Sequence, residues 1–361
     1  MSGCVSLVVG TRPEAIKLAP VAAALVERGL APTLVLTGQH ASLDPGDFGL
    51  GGFPADRLCC PGEEDPHKHV GAVTTALLPG LAKAPKLLVV QGDTSSALGA
   101  ALAGFTAGIP VAHVEAGLRT HDPLLPWPEE EYRTAIDAQS DLLFAPTALA
   151  AANLRAEQAP GEIHVTGNTS IDAVMALEST LPPPEARHDG APRLLVTAHR
   201  RESWDQGLAS IAAALRELAC DTAIDFVLHP NAHVAAAMRQ LLGGVGNLRL
   251  VEPCGHRELI RRMREVDLVL SDSGGIQEEA PALGVPLLVL REKTERPEGL
   301  ACCSACLVGT STERIVDAAR GLLHDPGALA AMRRRRFPYG DGKSGPRIAA
   351  LIDRWLKKRL N

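Results

Sequence analysis

VSLVVGTRPEAIKLAPVAAALVER, residues 5–28, is the stretch on which the fold reading turns. Val5–Val9 is a short, Val-rich apolar run that stops at Gly10, the pattern of a buried strand. Glu14–Arg28 has the length and apolar spacing of a helix. Gly10 permits a tight turn between the two, and Pro13 suits a first helical turn. A buried strand feeding directly into a helix is the first half of a βαβ unit, and its partner strands must lie parallel to it.

Working outward, the same alternation repeats. Thr33–Leu36, Leu87–Val90, Val111–Val114, Leu142–Phe144 and Ile163–Val165 read as buried strands, with helical stretches such as Ala97–Ala107 between them. Thr180–Pro192 then interrupts with Pro182-Pro183-Pro184, a linker composition. Alternation resumes with Leu194–Thr197, Phe226–Leu228, Leu248–Val251, Leu268–Leu270 and Leu287–Leu290, and the chain ends on an amphipathic helix, Arg347–Leu360. The expected class is α/β: two open parallel sheets, each with helices on both faces, meeting at a central cleft. The expected boundaries are 1–167 and 168–345, and the last helix, 346–361, could pack on either domain.

Composition narrows the function. The 361 residues suit about two domains. Aromatics are only 3 %, so the cores rest on Leu, Val, Ile and Ala. A net charge of −6 argues against a general nucleic-acid face but not against a local cationic site. No apolar run approaches the roughly 20 residues that cross a bilayer. Met1–Gly10 reads as a strand and not a leader, so a cytoplasmic location is expected. The eight cysteines read as reduced and structural, including the CxxC spacing of Cys303 and Cys306.

In open parallel sheets ligands bind beyond the carboxyl ends of the strands, so polar residues just after each strand are the site candidates. The first strand delivers Arg12 and, one helical turn in, Lys17. An anion-binding helix start and an ordinary turn with two solvated cations read this segment equally well. Asp93, Glu115 and Glu129 follow neighbouring elements and are acid/base candidates. Helix capping and first-turn charge are the plainer readings of Asp93 and Glu129. Glu115 ends a very apolar strand, where an unpaired carboxylate is costly. The second half delivers His199 and Arg200, then His229. Ser273-Gly274-Gly275 forms a helix start suited to a diphosphate, with Glu279 further along positioned for ribose hydroxyls. The GxGxxG at 340–345 follows no strand and reads as a loop. Arg333–Arg336 reads as a solvated helix end, and His67 and His69 as loop residues that bind no metal.

These segments together resemble one family. Gly-Thr-Arg-Pro-Glu-Ala-Ile-Lys (10–17), Thr-Gly-Gln-His (37–40), Gln-Gly-Asp-Thr (91–94), His-Val-Glu-Ala-Gly-Leu-Arg-Thr (113–120) and Pro-Glu-Glu (128–130) are similar to its first half. Thr-Gly-Asn (166–168), His-Arg-Arg-Glu (199–202), Asp-Ser-Gly-Gly-Ile-Gln-Glu-Glu-Ala-Pro (272–281), Thr-Glu-Arg-Pro-Glu (294–298) and Pro-Tyr-Gly-Asp-Gly (338–342) are similar to its second. The family is the non-hydrolysing UDP-N-acetylglucosamine 2-epimerases. The resemblance implies a GT-B-like fold of two Rossmann-like domains, with helix 346–361 packing back on the first, and reversible epimerisation at C2 of UDP-N-acetylglucosamine to UDP-N-acetylmannosamine, feeding cell-surface polysaccharide synthesis. It implies no metal, no NAD or other cofactor, and a homodimer, while the net charge and the short apolar runs give the expectation of no nucleic-acid or membrane partner.

By motif position Lys17, Asp93, Glu115, Glu129 and His199 match the family's catalytic set, and Arg12, Ser273 and Glu279 match residues that hold UDP. Gln39 and His40 fall in the motif associated with allosteric activation. Tyr132 departs from the pattern, standing where the family usually has Asn. The alternatives are a hydrolysing 2-epimerase, a 2-epimerase of another UDP-sugar, a GT-B glycosyltransferase and a non-catalytic nucleotide-sugar sensor.

Overall fold

The computed structural model describes residues 2–81, 85–184, 190–198 and 206–360. The chain divides into two compact units, Met1–Ala173 with Tyr339–Asn361, and Val174–Pro338.

The first unit is built on seven parallel strands: β1 (Ser2–Val9), β2 (Ala31–Leu36), β3 (Ala55–Arg57), β4 (Leu87–Gln91), β5 (Val111–Val114), β6 (Leu142–Ala145) and β7 (Glu162–Val165). Their order across the sheet is β3-β2-β1-β4-β5-β6-β7. The order reverses between β1 and β4, which makes the carboxyl ends of those two strands the topological switch point. Gly10 and Asp93 lie just past them. The helix Arg12–Glu27 follows β1 and opens on a capping box, Thr11 with Glu14. Leu18, Val21 and Leu25 of that helix pack on Leu7, Val9 and Leu34 of the sheet, joined by Ile348, Ile352 and Trp355 of the last helix. Val73, Leu77, Leu98 and Ala101 cover the opposite face.

The last helix, Ser344–Leu360, is anchored at its start. Asp172 accepts hydrogen bonds from the backbone N–H of Ser344 (3.1 Å) and Gly345 (2.8 Å). Only Gly340–Lys343 of the GxGxxG is loop, because Ser344 and Gly345 already belong to this helix.

The second unit has six parallel strands: β8 (Arg193–Thr197), β9 (Ala223–Val227), β10 (Leu248–Val251), β11 (Leu268–Ser271), β12 (Leu287–Val289) and β13 (Ala305–Leu307). Their order, β10-β9-β8-β11-β12-β13, repeats the reversal, here between β8 and β11. Leu215, Leu218, Phe226, Met238, Leu270 and Ile315 belong to its core.

Two strands escape the sequence reading. β3 is exposed at every position and carries no apolar run. β13 lies in the cysteine-rich stretch and is three residues long. Both are edge strands of their sheets, paired on one side only. His67 and His69 are not loop residues but open the helix Pro66–Leu81. The arginine run is not simply solvated: Arg333 pairs with Asp267 and Arg335 with Glu178. The cysteines described are free thiols. No helix among the described residues is long and apolar enough to cross a membrane.

Candidate active site

In the first unit the turn after β1 is packed tightly against the turn after β4. A Cβ on Gly10 would sit 2.1 Å from Ser96 Oγ and 2.5 Å from Thr37 Oγ1, so only glycine fits. Glu14 folds back over this turn. Its Oε2 accepts from the N–H of Gly10 (2.7 Å) and Thr11 (2.6 Å), and its Oε1 from Thr94 Oγ1 (2.5 Å). Burial pushes the Glu14 pKa up despite these bonds. The anion that the first helix start attracts is thus in part its own carboxylate. Arg12 is exposed and reaches Ser42 Oγ at 3.4 Å.

Lys17 is not a solvated cation. Its Nζ lies 2.5 Å from Glu115 Oε2, and both side chains are buried. Gln91 Nε2 donates to the same oxygen at 2.8 Å. Glu115 has φ +74°, an unusual backbone for a residue with a side chain, held where β5 ends. Its N–H and that of Ala116 both donate to the Phe144 carbonyl, which locks the turn.

Asp93 is not the cap of the next helix, since Thr94 takes that role. It pairs instead with Arg133, whose Nε is 3.1 Å from Asp93 Oδ2. Arg133 Nη1 also donates to Glu130 Oε2 at 2.6 Å. Glu130 Oε1 accepts from the N–H of Thr120 (2.9 Å) and His121 (3.0 Å). Glu130 therefore holds the loop after β5, while Glu129, half-buried, begins the helix Glu129–Asp137 that carries Arg133. Tyr132 is buried, its hydroxyl 3.3 Å from His67 Nδ1.

Gln39 and His40 stand at the same sheet edge. Gln39 Oε1 accepts from Ser96 Oγ at 2.7 Å, and the N–H of His40 donates to the Gly10 carbonyl at 3.0 Å. Burial and the adjacent Arg12 hold the His40 pKa below its ordinary value.

In the second unit Ser273 precedes the helix Gly274–Leu283, and its side chain makes no capping hydrogen bond. Its N–H is held by Ser271 Oγ at 3.0 Å, at the end of β11. A Cβ on Gly275 would make an ordinary contact with Ser273 Oγ at 3.9 Å. Gly274 lies against Arg296, which pairs with Glu278 at 2.7 Å and with Glu295. Glu279 is buried, and its Oε1 lies 2.7 Å from His256 Nε2. Burial pushes the His256 pKa down, and the Glu279 carboxylate more than offsets this, so the ring is held above its usual range. His229 follows β9 and its Nδ1 accepts the Asn231 N–H at 3.1 Å. His199 and Arg200 lie outside the described residues.

Each unit thus presents its polar groups at the carboxyl edge of a sheet with the same order reversal. The family description UDP-N-acetylglucosamine 2-epimerase matches residues 23–353. The chain belongs to the UDP-N-acetylglucosamine 2-epimerase family. It is therefore an isomerase, and family membership sets the glycosyltransferase alternative aside. A probable UDP-N-acetylglucosamine 2-epimerase of Ralstonia nicotianae is 39 % identical over 98 % of this chain and 99 % of its own length. The UDP-N-acetylglucosamine 2-epimerase of Salmonella typhimurium is 39 % identical over 94 % of this chain and 96 % of its own. The crystal structure of the Neisseria meningitidis UDP-GlcNAc 2-epimerase bound to UDP-GlcNAc superposes with a TM-score of 0.89. It shares 35 % identity, covering 98 % of this chain and all of that one.

Gln91, Arg133 and His256 were not among the residues singled out from sequence. Gln91 and Arg133 stand within or beside motifs that were, so proximity was the available signal. His256 carried none, because its partner lies on another helix.

Proposed function

We propose that the chain interconverts UDP-N-acetylglucosamine and UDP-N-acetylmannosamine by elimination and re-addition of UDP. The C2 proton of the sugar is not acidic, so direct removal is implausible. Breaking the C1–O bond first sends its electron pair out with UDP and leaves an oxocarbenium-like centre, beside which the C2 proton can be taken by a base. The products are UDP and 2-acetamidoglucal. Attack of a UDP oxygen at C1 and return of a proton to the opposite face of C2 complete the inversion.

The observation that carries this reading is the Lys17–Glu115–Gln91 cluster beside the Asp93–Arg133 pair, at a switch point of the fold. Asp93, Glu115 and Glu129, with Lys17, serve as the proton relays for the two faces of C2. Arg12, His199 and Arg200 and the Ser273-Gly274-Gly275 helix start stabilise the departing diphosphate. Glu279 accepts from the ribose hydroxyls, and His229 contributes to the UDP contacts. Gln39 and His40 belong to an allosteric subsite for substrate. The reaction needs no metal or NAD, and a cytoplasmic homodimer is the state in which we expect it to run.

The test is proton NMR of the protein with UDP-N-acetylglucosamine in D2O. UDP-N-acetylmannosamine carrying deuterium at C2, approaching a stable mixture, is the expected result. Free N-acetylmannosamine with UDP would mean the hydrolysing reaction. No change, with binding intact, would sink the substrate assignment.

A further inference from the structure

His113 has no part in the chemistry above, yet it is fully buried between the two strand ends that carry Gly92-Asp93 and Glu115. Its Nε2 lies 2.8 Å from the Gly92 carbonyl oxygen, and its Nδ1 lies 2.6 Å from Asp137 Oδ1. A carbonyl oxygen can only accept. Asp137 faces three donors: the His113 ring, the Gly117 N–H at 3.0 Å and Arg119 Nη2 at 2.8 Å. Burial pushes the Asp137 pKa up, but His113 and Arg119 outweigh it and hold the group below its ordinary value, as a carboxylate. Both neighbours of the ring therefore accept, and a neutral imidazole, with one N–H, can satisfy only one of them.

We infer that His113 is a buried imidazolium that clamps the Gly92 carbonyl to the end of β5, and so acts as the positioning residue for Asp93 and Glu115. The charges around it balance. Arg119 bridges Asp137 to Glu157 (2.6 Å), giving two cations and two carboxylates in one cluster. The clamp joins three elements. Gly92 immediately precedes Asp93, His113 lies two residues before Glu115, and Asp137 ends the helix whose Arg133 holds Asp93. A group that sets the spacing of two acid/base residues alters the chemical step more than ligand binding, because small displacements of reacting groups are costly in rate. The positioning role rests on the epimerase reading; the charge state does not.

The test uses the full chain labelled with 15N-histidine, with the His113 ring signals assigned by their loss in His113→Gln. Both ring nitrogens of His113 are expected to carry protons at pH 7. A neutral tautomer at pH 7 overturns the proposal. In Asp137→Asn the ring is expected to become neutral, and kcat to fall at least about tenfold while UDP affinity changes less than about twofold. An Asp137→Asn protein that keeps its kcat overturns the positioning role, whereas one that fails to fold leaves the wild-type spectrum to decide. An imidazolium in a wild type that turns over no UDP-N-acetylglucosamine would count against the epimerase reading and for the buried cation.

Discussion

Lys17 Nζ and Glu115 Oε2 lie 2.5 Å apart, with 8 % and 5 % of their side chains exposed. Removing one member of a buried ion pair leaves the other charge desolvated and typically costs about 3–5 kcal/mol. Lys17→Met should therefore lower stability by about 3 kcal/mol in a urea titration. Lys17→Met/Glu115→Leu should recover much of that loss, because the stranded carboxylate is gone, and should recover no turnover. A double variant no more stable than Lys17→Met would show that the pair is not the source of the loss.

In the proposed reaction Asp93 and Glu115 transfer protons, and general acid–base groups contribute about 10²–10⁴-fold in rate. Asp93→Asn and Glu115→Gln should each lose about 10²-fold or more in kcat while binding UDP nearly as well as the wild type. Turnover kinetics alongside UDP calorimetry checks this. Near-normal kcat in either variant removes that residue from the acid/base set.

Gly10 leaves no room for a Cβ beside Ser96 Oγ and Thr37 Oγ1. Overpacking of this kind costs about 1–3 kcal/mol, so Gly10→Ala should show that loss on thermal or urea unfolding. It should also disturb Gln39, which holds Ser96 Oγ. Adding Ser96→Gly should restore part of the stability. A Gly10→Ala protein as stable as the wild type would mean that the turns after β1 and β4 adjust freely.

His256 binds its proton more tightly folded than unfolded, because Glu279 outweighs burial. A raised histidine contributes its full stabilisation below the unfolded value of about 6.5. That contribution fades as pH rises through the higher folded value. The stability gap between wild type and His256→Gln should therefore be larger at pH 6 than at pH 9. Equal gaps at both pH values would show that folding does not raise the His256 pKa.

Much of this architecture was legible in the chain itself. Buried strands of a parallel sheet are apolar on both faces, so they stand out as short Val- and Leu-rich runs, and β1, β4, β5, β8 and β11 were all found that way. The polar residues after those runs marked the candidate site, because strand ends at a switch point face a ligand. The capping box Thr11-Arg12-Pro13-Glu14 is also local and could have been read, though its Glu14 fills part of the place assigned to an anion. β3 and β13 left no such trace. An edge strand pairs on one side only, and these two are three residues long, with β3 exposed throughout.

Which charges meet was decided by tertiary structure alone. Lys17 and Glu115 are 98 residues apart, Asp93 and Arg133 are 40 apart, and His256 and Glu279 are 23 apart. Sequence periodicity reports which face of an element is buried, and it carries no record of which strand lies beside which. The order β3-β2-β1-β4-β5 brings the ends of β1, β4 and β5 together, and that adjacency makes a surface-like lysine a buried partner and His113 a link between two loops.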